Sequence, residues 1–129
     1  MKWNESYATG NKEVDEQHKM LFLTSDRFRE TLEYGFGEKT YDLFLQFLSA
    51  YAEQHFAFEE ECMFIHSCPS AKQNKEEHCL FLKVIQKEVA IFEKIGFEKQ
   101  RAFALLDKVD KWLGSHIARI DVQLKTVLT

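Results

Sequence analysis

Four consecutive stretches of this chain repeat their apolar residues every three or four positions, and short breaks separate them. That pattern constrains the fold more than any other feature, because such a period places one apolar stripe along each of four helices. The first stripe is Val14, His18, Leu21, Ser25, Phe28 and Leu32, and it stops at Gly35-Phe36-Gly37. The second is Tyr41, Phe44, Leu48, Tyr51, His55, Glu59 and Cys62, before a break that holds the only proline, Pro69. The third is Ala71, Asn74, His78, Phe81, Ile85, Val89 and Phe92, ended by Gly96. The fourth is Leu105, Val109, Trp112, His116 and Ile120, widened by Leu113 and Ile117.

Helix signals set the expected limits. Asp15 is placed as the N-cap of the first helix, Thr40 of the second, and Ser70 with Gln73 as a capping box on the third. The helices are expected over roughly 15–34, 39–65, 70–95 and 98–127. Connections this short make neighbours antiparallel. The predicted fold is therefore all-α: an up-down-up-down four-helix bundle filling one domain over 1–129. Trp3 and Tyr7 would anchor an N-terminal arm to it.

Composition narrows the function classes. Forty-five per cent hydrophobic residues, including 12 Phe, can fill a core, which excludes a disordered chain. Seventeen basic against 21 acidic residues give a charge of −4, unsuited to general nucleic-acid binding. No apolar run reaches membrane-spanning length, and the start lacks the apolar stretch of a signal peptide. Three cysteines, Cys62, Cys68 and Cys79, form no CxxC and point to reduced thiols and a cytoplasmic setting. A zinc site from Cys62, His66, Cys68 and Cys79 matches no common module. Cys62 and Cys79 read as packing near the core, and Cys68, in the turn, as exposed. The acidic run Phe58-Glu59-Glu60-Glu61 and the Lys/Glu mixtures elsewhere, such as Lys75-Glu76-Glu77, read as mostly solvated faces, with Glu59 the exception.

The polar residues inside the stripes carry the functional signal. His18, His55, Glu59, Asn74, His78 and His116 all occupy core-facing positions. Buried polar groups without partners cost several kcal/mol. A lone His on an apolar stripe reads as a satisfied core residue. One on each of four helices, with Glu59 one turn from His55, reads as a metal site. Histidine with carboxylate and no thiolate suits Fe, Mn or Zn. Asp121 lies five residues after His116, about 140° around an ideal helix. It is either an ordinary surface residue or is brought to the same metal by a locally altered turn or a long reach.

The same residues resemble the motifs of the hemerythrin family, especially its single-domain bacterial members. The resemblance runs over nearly the whole chain. It rests on Trp3-Asn4-Glu5-Ser6-Tyr7 with Gly10, on Asp15-Glu16-Gln17-His18, and on His55-Phe56-Ala57-Phe58-Glu59-Glu60 followed by Met63. Pro69 in the turn, with Cys68 where the family has Tyr, and Trp112-Leu113-Gly114-Ser115-His116-Ile117 followed by Asp121 complete it. The resemblance implies two non-haem iron ions. His18 and His55 would hold one iron, with an open position for O2 or a small anion. His78 and His116 would hold the other, and Glu59 and Asp121 would bridge them. Leu113 and Phe22 would line the oxygen pocket. It further implies oxygen carriage, storage or sensing by a monomer.

The chain departs from the family at one ligand. The pattern H-x-x-x-H reads Asn74-Lys75-Glu76-Glu77-His78 here. Asn74 offers a carbonyl oxygen, a weaker iron ligand than imidazole. Three outcomes follow: Asn74 coordinates or holds a water that completes the shell, the second iron binds weakly or not at all, or another residue substitutes. His66, the spare histidine, lies eleven residues past His55, about 16 Å along a continuous helix. The departure opens two other function classes, an oxidase or peroxidase-like enzyme and a mononuclear or metal-free interaction bundle.

Overall fold

The protein is described by a computed structural model over residues 2–35 and 37–128. Four helices form it: α1 Lys12–Glu33, α2 Glu38–Ile65, α3 Ala71–Ile95 and α4 Lys99–Arg119. Short 3-10 turns flank them at Glu5–Tyr7 and Asp121–Thr126. Among the described residues there is no strand.

Residue pairs across the helices establish the antiparallel bundle. His18 meets Glu59 while Phe28 meets Phe44, so α1 and α2 run oppositely. His78 meets Glu60 and Tyr41 meets Phe92 between α2 and α3. Glu77 meets His116 and Glu88 meets Arg101 between α3 and α4. Arg29 meets Asp107, and Ser25 meets Asp110, between α1 and α4.

The helix starts differ from the capping expectations, and on α1 and α3 other side chains engage the expected caps. Asn11, not Asp15, caps α1 by accepting from the Val14 N–H at 3.0 Å. Asp15 instead accepts from the backbone N–H and hydroxyl of Thr9, at 2.9 and 2.8 Å, and so fastens the arm. Gly37 occupies the N-cap of α2 without a side-chain bond, which leaves Thr40 inside the helix. Ser70 stands at the N-cap of α3, but its hydroxyl bonds Gln123, so no capping box forms. Of the turn Gly35-Phe36-Gly37, Phe36 lies outside the described residues, and Gly35 takes a φ of 89°, open to glycine without strain.

The bundle interior is divided along its length. The end formed by the α1–α2 and α3–α4 connections is apolar, filled by Leu32, Tyr41, Phe44, Leu45, Ile85, Leu105 and their neighbours. The opposite end, where α1 and α3 begin and α2 and α4 finish, holds the buried histidines and carboxylates. The arm packs over this core as expected. Tyr7 stacks on Phe22 with ring centres 5.6 Å apart, and Lys19 Nζ lies 4.5 Å from the centre of the Trp3 ring.

Two cysteines are not where the pattern put them. Cys68 is only 5% exposed. The C-terminus of α2 explains this: Ser67 takes a left-handed φ of 52°, its N–H bonds Phe64 O, and the Cys68 N–H bonds Met63 O. This helix-ending motif folds Cys68 back onto Met63. Cys62, Met63, Cys68, Ile120 and Leu124 then form a small apolar cluster. Cys79, expected near the core, is exposed. No helix among the described residues is long and apolar enough to cross a membrane.

Candidate metal centre

All six predicted ligands converge at the polar end of the bundle. His18 on α1, His55 and Glu59 on α2, His78 on α3, His116 on α4 and Asp121 just past α4 are each at most 3% exposed. Their side chains form two groups. His18, His55 and Glu59 make one, and Glu59, His78, His116 and Asp121 the other.

Glu59 and Asp121 belong to both sides. Glu59 Oε2 lies 3.1 Å from His18 Nε2 and 3.7 Å from His55 Nε2, while its Oε1 lies 3.2 Å from His78 Nε2. Asp121 Oδ2 lies 3.1 Å from His18 Nε2, and its Oδ1 lies 3.0 Å from His116 Nε2. Each carboxylate thus hands one oxygen to each pair of imidazoles.

Asp121 reaches this place because α4 stops. Arg119 is the last α-helical residue, Ile120 turns with φ −109° and ψ −59°, and Asp121 opens a 3-10 turn. The expected single helix over 98–127 is therefore broken, and the break brings the carboxylate inward.

Outer partners orient the rings. His55 Nδ1 lies 2.6 Å from Gln17 Oε1, His78 Nδ1 3.0 Å from Glu60 Oε2, and His116 Nδ1 2.8 Å from Glu77 Oε1. Each acceptor holds a proton on Nδ1 and so points Nε2 inward, the arrangement typical of ligating histidines. Sequence reasoning missed these three partners. Glu60 and Glu77 looked like charges on a solvated face, and only their adjacency to Glu59 and His78 hinted otherwise.

Asn74 is fully buried, with Oδ1 2.7 Å from His116 Nε2. Both nitrogens of His116 thus face oxygen acceptors. Its pKa is raised: burial opposes this, and Asp121 and Glu77 outweigh the burial. For His18 burial also opposes the charge, yet Asp121 and Glu59 lift its pKa to about 9. Burial pulls His55 down to about 3. Asp121 is held well below the usual carboxylate range; burial opposes this, and His116 and His18 prevail.

The donor set fits a metal centre on its own polar accounting. Glu59 Oε1, Asn74 Nδ2, His78 Nε2 and Asp121 Oδ1 are buried and lack a hydrogen-bond partner. Orphaned groups of this kind are rare and costly in native interiors. Here the imidazole nitrogens and carboxylate oxygens face one another, and cations among them would satisfy them. His66 is exposed at the end of α2 and belongs to neither group. Among the described residues no cysteine joins a metal-ligating group either. Phe22 and Leu113 are buried in the adjoining core.

Comparison with known proteins agrees with this geometry. Residues 9–128 match the hemerythrin HHE cation binding domain. The bacteriohemerythrin of Clostridium acetobutylicum is 27% identical over 123 residues, which cover 92% of this chain and 94% of that protein. Hemerythrin-like proteins of Naegleria gruberi and Naegleria fowleri are each 25% identical over 126 residues, covering 98% of this chain and 92% of theirs. With its domain match spanning nearly every residue and its histidines and carboxylates gathered at one end of a four-helix bundle, the chain belongs to the hemerythrin family.

Proposed function

We propose that this protein binds dioxygen at a non-haem di-iron centre, for carriage, storage or sensing. The observation that carries the reading is the split of Glu59 and Asp121, each with one oxygen toward either pair of imidazoles. His18 and His55 would hold one iron and His78 and His116 the other, with Glu59 and Asp121 between them. Iron supplies the electrons that let dioxygen bind reversibly, which no side chain here does alone. The chain supplies the rest. Gln17, Glu60 and Glu77 fix the rings through Nδ1. Phe22 and Leu113, both buried, would offer apolar walls that exclude water from the oxygen side. The name of the Clostridium relative supports the family's chemistry. A monomer in the cytoplasm, where Cys62, Cys68 and Cys79 stay reduced, completes the proposal.

The test is iron content of protein from iron-fed cells, read beside its visible spectrum in air and after anaerobic reduction. Two irons per chain, with a spectrum that appears in air and reverses when oxygen is removed, is the expected result. A folded, helical protein without metal would refute it and leave an interaction bundle.

Asn74 favours a second reading. Without an imidazole there, each bound iron would keep an exchangeable position, which suits redox turnover of oxygen or peroxide over reversible binding. Steady consumption of peroxide by the loaded protein would select that reading. Asn74→His would then slow autoxidation and raise iron retention.

A further inference from the structure

We infer that the Asn74 corner of the centre is a second binding site for a small exogenous anion, held there by the buried Asn74 amide N–H. The inference rests on the di-iron reading. It is separate from ligand binding on the His18/His55 side, which that reading already assigns.

The two donor groups are equivalent in what the protein offers. His18 and His55 receive Glu59 Oε2, with Asp121 Oδ2 beside His18. His78 and His116 receive Glu59 Oε1 and Asp121 Oδ1. Paired imidazoles with carboxylate oxygens leave open positions on iron. The His78/His116 side is therefore no more closed by strong ligands than the His18/His55 side. What differs is the neighbour, since only the His78/His116 side has Asn74.

Asn74 is 0% exposed, and among the described residues its side chain has one polar contact, His116 Nε2 at 2.7 Å from Oδ1. Its Nδ2 is buried with no acceptor. With His116 Nε2 given to a metal, the amide would lose that contact too. An amide buried without partners is costly, and a small anion in that corner relieves it. The anion's charge is balanced by the metal, and its terminal atom accepts the Nδ2–H bond. A histidine at position 74 would instead offer a ring nitrogen to the metal and close the position.

The outer face on this side is also suited to anions. A surface cavity of about 300 Å3 is lined by His78, Cys79 and Glu60 together with Lys75 and Lys83. Two ammonium groups against one carboxylate, itself engaged with His78 Nδ1, make the rim of this cavity net positive on the outer side of the His78 ring.

Azide is the probe, titrated into air-oxidised, iron-loaded protein, with iron measured on the same sample and azide counted by calorimetry. The expected result is two azides per chain carrying two irons. Asn74→His should bind one. Asn74→Ala should still bind two, one of them about tenfold more weakly, equivalent to about 1.4 kcal/mol for the lost amide bond. One azide per two irons in the unaltered protein would overturn the inference while leaving the di-iron reading intact. So would an unchanged count in Asn74→His, or an unchanged weaker affinity in Asn74→Ala. Fewer than two irons before azide is added would overturn the di-iron reading and the inference with it.

Discussion

Glu77 is the sharpest place to test how the bundle would hold metal, because it touches the centre through one hydrogen bond. Its Oε1 accepts from His116 Nδ1 at 2.8 Å, and it also pairs with Arg119, whose Nη2 lies 3.1 Å from the same oxygen. Burial works against its charge, yet His116 and Arg119 together hold its pKa below the ordinary value. Glu77→Ala frees the His116 ring to rotate and to take the wrong tautomer. Loss of such an outer partner typically lowers metal affinity about 10- to 100-fold, or about 1.4–2.8 kcal/mol. The metal-free fold should suffer less, by about 1 kcal/mol, since Glu77 and Arg119 are partly in water. Glu77→Gln keeps an acceptor without the charge and should lose about half as much binding free energy, because charge-assisted bonds are about twice as strong. Glu76→Ala, its exposed neighbour, serves as the control. The assay is competition with a chelator of known affinity, beside thermal melts of the metal-free proteins. Affinity within twofold of the unaltered protein in Glu77→Ala, or an equal fall in Glu76→Ala, would refute the reasoning.

Four further outcomes are expected. Metal must displace the proton that Asp121 and Glu59 hold on His18, whose pKa is raised to about 9, so apparent affinity should climb by up to about tenfold per pH unit below 9. Chelator competition from pH 6.5 to 9.5 checks this, and a flat profile would refute it. In the metal-free protein the sign reverses: the raised His18 pKa contributes stability that is complete below 6.5 and fades as pH rises through about 9. His55, lowered to about 3 by burial, contributes stability that is present above 6.5 and lost as pH falls toward 3, so metal-free melts should peak near pH 6.5. Phe44→Ala should cost about 3–5 kcal/mol in urea titration, because Phe44 is 0% exposed and its ring packs 4.9 Å from that of Phe28; a loss under about 1 kcal/mol would mean the site collapses around the gap. A thiol-alkylating reagent should label Cys79 in the native protein and reach Cys62 and Cys68 only on unfolding, which mass spectrometry of the digested chain would report.

Much of this was legible in the sequence. Helical period and burial are local properties, so the stripes named the core face of each helix. They marked His18, His55, Glu59, Asn74, His78 and His116 as inward, and all six are buried. The spacing of His55 and Glu59 put both on one face one turn apart, where they stand 3.7 Å from each other.

The rest depended on neighbours that no local rule reaches. Whether Asp15 or Asn11 capped α1 turned on Thr9, which takes Asp15 for itself. Cys68 went inside because the end of α2 folds it onto Met63. Glu60 and Glu77 looked like solvated charges until α2 and α3 brought them to histidine rings on the adjacent helix. Asp121 is the clearest case. Its spacing from His116 points it away on a straight helix, and only the change to a 3-10 turn after Arg119 carries it back to the centre. Periodicity thus determined which face each helix buries, because that depends on a residue's own angle around its axis. What those faces meet depends on how the four axes are packed and where each helix stops, and the tertiary structure alone decided that.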